Sequence, residues 1–383
     1  MDVNIDKSHE VTPENNKIVF KASFVWILGL AGFISAADNW IVSPILPAIA
    51  TGFGVSIALA GIIFTAYMVP YGFMQPVYGF ISDKHGKSRV LQKIVLGFAL
   101  GTIACAFASS LWMLSLCRAV TGFFAAGIIA LSLAWIGDNA DPSKRQVYVG
   151  KFMGIVFLGQ GVSVGLGGVL VNYVSWRVTF IAFALTAIVA GLALQKLPEK
   201  SFNSQVHRKF FSEVKHVVST PKGKIIFPLA FATGFLLLGL YSYLGAFLHE
   251  VSGMNYMQVG LVVMFYGFAC LAAGLRVGKL GNMWGWQRVV LLGSGSALAS
   301  AMLLVFCPFW QAILLATIAL GFGYIFIQSP LATIAFDVAP ESKGLPSALI
   351  GLGLFGGGGL GAAFCGWLLQ IGGYKILWFV IAV

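Results

Sequence analysis

The chain has 383 residues, of which 58% are hydrophobic and only 10% charged, and it carries a net charge of +11. That composition excludes an ordinary soluble domain. The charge gathers into short polar breaks between apolar runs of about 20–25 residues, the length that crosses a ~30 Å hydrocarbon core as a helix.

Backbone groups in lipid must be satisfied internally, and long continuous apolar runs select helices over the ten-residue alternation of a barrel. Residues 1–23 carry four acids before the first apolar run, so they read as a polar tail and not a signal peptide. Residues 24–197 then predict six spans, at 24–49, 55–81, 90–108, 111–136, 147–173 and 178–194. The break from Lys196 to Lys224 holds seven Lys or Arg and predicts a linker over 198–224. Residues 225–383 predict a second bundle, with spans at 225–248, 257–277, 289–306, 309–336 and 345–371 and a last one from Tyr374. About ten residues, roughly 15 Å of helix, are too few to span, so the twelfth helix is expected to be truncated in this chain.

Around these spans, 21 of the 24 Lys and Arg residues fall on one side. Arg177 and Lys375 fall on the other, and Arg118 lies inside a span. The positive-inside bias makes the rich side cytoplasmic, with the N-terminus and linker there and the protein multi-pass in the cell membrane. The positive charge is then a topology signal, and no nucleic-acid partner is expected. The five cysteines lie in or at the ends of apolar runs without ligand spacing. They read as small buried hydrophobes, so neither metal, cofactor nor disulfide is expected. No nucleophile–base pair stands out, which argues against an enzyme.

The halves repeat. A shift of 199 residues aligns Gly79, Asp83, Gly86 and Arg89 with Gly278, Asn282, Gly285 and Arg288, Gly122 with Gly321, and Asp138 with Asp337. Both copies begin on the same side, so the repeats are parallel, with a solute site expected between them near the midplane. The fold expected is an all-α membrane protein of twelve transmembrane helices in two six-helix parallel repeats.

Three stretches resemble the major facilitator superfamily, and the resemblance covers essentially the whole chain. Gly79-Phe-Ile-Ser-Asp83-Lys-His-Gly86-Lys87-Ser-Arg89 is similar to that family's loop signature after the second helix. Arg118-Ala-Val-Thr-Gly122 resembles the fourth-helix signature of its proton-coupled exporters, and Asp38 with Pro47 a first-helix pattern of the drug-exporting branches. The glycines of 154–168 resemble the exporter fifth-helix signature, but its Gly-Pro element is replaced by Ser163-Val164, which leaves close helix packing as the safer reading. Residues 351–361 are their counterpart on the eleventh helix. Gly86-Lys87-Ser88 is no phosphate loop, because Ile81 stands where that loop needs glycine.

The resemblance implies that Asp83 faces a helix N-terminus of the opposite half and that Lys87 meets Asp138, a conformational latch completed by Gly79, Gly86 and Arg89. It also places the first and fourth helices together. Asp38 lies 14 residues into its run, ~21 Å from the cytoplasmic end, and Arg118 about ~10 Å in from the other side, so their depths nearly coincide in a ~30 Å core. An intramembrane carboxylate and guanidinium at one depth are expected to pair and to couple transport to protons.

Asn39, Trp40, Tyr67, Tyr71, Gln75, Gln160, Tyr241, Tyr243, Tyr266, Tyr324 and Gln328 are candidates to line a cavity for an amphipathic or aromatic solute. His249 and Glu250 read as an exposed helix end, with a second titrating element as the alternative. The function expected is proton-coupled efflux of small lipophilic or cationic compounds by a monomer in the lipid bilayer. The alternatives are a symporter or uniporter for sugars or small organic metabolites, and a non-transporting membrane sensor.

Overall fold

A computed structural model describes residues 20–198, 210–307, 309–335, 338 and 344–382, without the side chains of Asp83, Pro142, Ser143, Gln146, Phe210 and Phe211. Among these, eleven helices are long and apolar enough to cross a membrane, and a shorter apolar helix, Val42–Phe53, continues the first of them. The expected spans are all present, most of them longer at their ends by a few residues.

Several are interrupted where the sequence supplies a reason. The first span runs Ala22–Trp40, turns at Ile41 and resumes as Val42–Phe53, which contains Pro44 and Pro47. Proline removes an N–H from the helix ladder and crowds the preceding turn. The fourth span is Leu111–Ala125 followed by Ile128–Asn139. The seventh and eleventh each contain a widened π-helical turn, at Gly234–Leu238 and Leu352–Gly356. Such turns occur mostly where helices must bend for function. Gly373 (φ 68°) ends the eleventh span and starts the twelfth at Tyr374, as expected.

Within the stretch read as a linker, Phe210–Ser219 forms a helix. Val214 and Val217 lie on its inner face while Lys215 and His216 are exposed, so a short amphipathic pattern inside a charged stretch suffices to nucleate it against the bundle.

The internal repeat is visible in the backbone. Gly86 (φ 89°, ψ 134°) and Gly285 (φ 82°, ψ 150°) join the second to the third span and the eighth to the ninth with nearly the same left-handed geometry. A β-carbon is strained at either position. Gly122 packs on the Tyr67 carbonyl and Gly321 on the Tyr266 carbonyl, one crossing at two positions 199 residues apart. Small residues permit that approach where lipid supplies no hydrophobic drive between helices.

Either crossing has no room for a side chain. Gly122→Leu or Gly321→Leu is expected to cost about 3 kcal/mol or more, since backbone and not a flexible side chain must move. A thermal melt in detergent should show a lower midpoint for both, while Gly137→Ala, facing open space, leaves it unchanged.

Candidate coupling and gating site

Asp38 on the first span and Arg118 on the fourth are 0% and 1% exposed. Arg118 Nη1 donates to Asp38 Oδ2 at 2.5 Å, and Nη2 to the Asp38 carbonyl at 3.3 Å. The guanidinium sits 4.1 Å above the Tyr67 ring and 5.7 Å from that of Phe180, so aromatic faces supply part of its solvation. The pair expected from matching depths and from the helix arrangement that the resemblance implies is therefore formed. It is not saturated: Asp38 Oδ1, Arg118 Nε and the Tyr67 hydroxyl are buried without hydrogen-bond partners. Removing one member of such a pair leaves an uncompensated charge, at about 3–5 kcal/mol.

Beside this pair, aromatic rings fill the centre of the molecule. Trp40 packs against Tyr241 at 4.7 Å, Tyr266 at 4.9 Å and Tyr324 at 6.0 Å between ring centroids. Tyr67 stacks on Tyr71 at 5.6 Å, and Tyr71 on Phe355 at 4.4 Å. The first cluster draws on the first span of one half and the seventh, eighth and tenth of the other. The Tyr266 hydroxyl and Asn39 Oδ1 are buried and unpartnered. Gln160 reaches across to Cys270 at 3.7 Å. Gln75 lies against Gly351 between the second and eleventh spans, and Gln328 is half-buried on the tenth. Tyr243 does not join the central rings. Its hydroxyl lies 3.4 Å from the Ala58 carbonyl and against Gly61 and Gly366, nearer the end opposite the basic loops.

That opposite end is closed by a stitch between the first and seventh spans. Pro44 lacks the N–H that would bond the Trp40 carbonyl, and the Tyr241 hydroxyl donates to that carbonyl at 2.9 Å instead. Ser43 Oγ donates to the Tyr241 carbonyl at 2.7 Å and accepts from the Gly245 N–H at 3.2 Å. Gly245 has no side chain because the Ser43 carbonyl and Pro44 occupy its place. Ser43 was not expected; a serine beside a proline in a broken span is the signal that could have found it. Glycines continue the closure, with Gly168 against Gly260 and Gly161 against Gly267 between the fifth and eighth spans. Thr65 Oγ1 donates to the Gly359 carbonyl at 2.7 Å between the second and eleventh.

Toward the basic end the packing loosens. Gly79, Gly137, Gly150, Gly154 and Gly278 all have open space where a side chain would project. Lys87 Nζ pairs with Asp138 Oδ2 at 2.7 Å, with Lys87 12% and Asp138 41% exposed. Both belong to the first half, so this ion pair ties the start of the third span to the end of the fourth and does not itself cross between halves. Arg89 is exposed and Gly86 provides the turn. At the far end of the seventh span, His249 Nδ1 lies 2.7 Å from the Met254 carbonyl, and Glu250 accepts from Tyr374 at 2.6 Å.

The family model of the Major Facilitator Superfamily matches residues 28–362. The MFS-type transporter YwfA of Bacillus subtilis is 25% identical over 348 residues, 86% of this chain and 82% of that one. The multi-drug resistance efflux pump PmrA homolog of Lactococcus lactis is 24% identical over 282 residues, 70% and 69% of the two chains. Among solved structures, the nucleoside transporter NupG superposes with a TM-score of 0.76 at 13% identity, covering 94% of this chain and 95% of that one.

The stitch predicts a measurable balance between two shapes. Ser43→Ala removes the two seam hydrogen bonds while the Tyr241 carbonyl and Gly245 N–H remain able to pair with each other, so a net loss of about 1 kcal/mol should raise the open population at this end roughly fivefold. Spin labels at the exposed Thr51 and Val251 should report it as growth of a longer-distance peak. Gly245→Leu should make that peak dominant.

Proposed function

This chain belongs to the Major Facilitator Superfamily, and from that membership we propose that it is a proton-coupled exporter of small lipophilic or cationic compounds working by alternating access. It is a multi-pass membrane transporter. In this reading it sits as a monomer in the cell membrane with its N-terminus and basic loops in the cytoplasm, because basic loops are retained there.

The observation that carries the reading is the buried Asp38–Arg118 pair with one carboxylate oxygen and one guanidinium nitrogen unused. An intramembrane ion pair that leaves polar atoms unsatisfied is costly as a structural brace and well suited to exchanging partners. A proton that reaches Asp38 cancels its charge and weakens its hold on Arg118. A cationic or polar solute at the adjacent rings competes for the same carboxylate. Alternate occupancy from the two ends then exchanges one for the other. The solute meets Trp40, Tyr241, Tyr266, Tyr324, Tyr67 and Tyr71, whose faces suit an aromatic or cationic group, and the unpartnered hydroxyls of Tyr67 and Tyr266 orient it.

The stitch at Ser43, Tyr241 and Gly245 supports reading this as the form closed at the end opposite the basic loops. In the opposite form, the loop of Gly79, Asp83, Gly86, Lys87 and Arg89, held to Asp138, closes the basic end as a latch. The multi-drug efflux relative accords with export. A second reading, uptake of a neutral ring-bearing metabolite, is favoured by the internal neutrality of the buried pair and by a fold shared with a nucleoside transporter.

Direction separates the two in reconstituted vesicles. An imposed proton gradient should drive dye or drug against its own gradient in the wild type. Asp38→Asn should abolish that proton-driven step while substrate exchange at equilibrium persists; unchanged proton-driven flux in that variant rejects the coupling role. Arg118→Ala should both stop transport and lower the thermal midpoint, since it strands Asp38.

A further inference from the structure

The third and fourth spans, Lys87–Ala106 and Leu111–Ala125, form an antiparallel hairpin closed by residues 107–110. Gly101 packs directly on Thr121, against its hydroxyl and its backbone, so the two helices approach as closely as a glycine allows. One turn further toward the hairpin loop on each helix stand Cys105 and Cys117, by the same register partners across the crossing. The two side chains interact across that crossing. Thr121 joins them from below: its hydroxyl donates to the Cys117 carbonyl at 2.7 Å and lies 3.8 Å from Cys105 Sγ. Both cysteines are free, Cys105 fully buried and Cys117 partly exposed on the outer face of the bundle.

We propose that Cys105 and Cys117 form a dithiol site that captures trivalent arsenicals, with Cys117 as the point of entry and Cys105 as the second ligand. Two thiols at matching register on adjacent helices, one of them 3.8 Å from the Thr121 hydroxyl at the crossing, meet the demand of an arsenic(III) centre for two sulfur ligands, and a single cysteine does not. Cys270, Cys307 and Cys365 lie on other helices and belong to no such pair among the described residues. With phenylarsine oxide the step balances without any oxidant. Two arsenic–sulfur bonds replace the arsenic–oxygen bond, the two thiol protons leave with the oxide oxygen as one water, and arsenic stays trivalent. The partly exposed face of Cys117 lies among Leu116, Val120 and Met113, themselves exposed on the bundle surface. A lipophilic reagent entering from the bilayer therefore reaches it where a water-soluble one is excluded. Cys117 immediately precedes Arg118, so an adduct there moves the residue that holds Asp38.

The test uses the full-length protein in detergent or nanodiscs and phenylarsine oxide as the probe. After treatment, removal of excess reagent and unfolding, a maleimide is added and the intact mass is read. The chain has five cysteines. The treated protein should take up three maleimides and carry one phenylarsenic group, and five should be restored by a small dithiol such as dimercaptopropanol. Cys117→Ser and Cys105→Ser should each keep all four remaining cysteines free for maleimide. Because Cys105 is fully buried, Cys117→Ala serves as a second variant at the partly exposed position, with the same expectation. Uptake of five maleimides by the treated wild type, or an arsenic adduct that survives in the Cys117 variants, overturns the assignment.

Discussion

Everything at the centre of this molecule is arranged around one ion pair that water does not reach. In a medium without solvent, a carboxylate on the first span requires a cation at its own depth, and Arg118 on the fourth supplies it. That requirement brings the two helices together and stacks Tyr67 on the guanidinium, while Gly29 and Gly32 pack the earlier part of the first span on the fifth. The aromatic cluster around Trp40 begins two residues beyond Asp38, so charge and ring surface share one short stretch of helix. The second half carries no matching pair at the equivalent positions, where Leu237 and Thr317 stand. Among the described residues, the duplicated scaffold thus carries its buried ion pair in the first half alone.

Closure at one end and looseness at the other follow from how backbones meet. At the end opposite the basic loops, glycines and one serine let helices of different halves touch main chain to main chain, where van der Waals contact and hydrogen bonds replace a hydrophobic drive. At the basic end Gly79, Gly137, Gly150, Gly154 and Gly278 face open space. The same residue type therefore does two jobs, admitting contact in one state and leaving clearance for it in another.

Much of this was legible in the chain. Hydropathy and the distribution of Lys and Arg located the spans, the 199-residue offset anticipated the paired crossings at Gly122 and Gly321, and matching depths anticipated the contact between Asp38 and Arg118. Side-chain partners that depend on helix rotation were not legible. Tyr243 carries the same chemistry as Tyr241, yet two residues along a helix turn it roughly 200° away, into a seam instead of the centre. Ser43 looked like one more small residue, because its value lies in a bond to a helix some 200 positions distant. The π-helical turns left no trace beyond glycine, and the linker helix was hidden by the charges that surround it.

The Ser43 hydroxyl bridges a carbonyl and an N–H, Tyr241 and Gly245, that are natural partners four residues apart in an uninterrupted helix. When the serine withdraws, those two groups have each other, and nothing on the seventh span is left wanting. The Trp40 carbonyl has no such fallback, because Pro44 offers it no N–H and only the Tyr241 hydroxyl now serves it. Parting the two helices thus leaves a debt on one side alone, and a water molecule is the natural creditor. Hydration at that single oxygen would then be the first molecular event of opening, with solvent acting as a reactant in the motion rather than as its bystander.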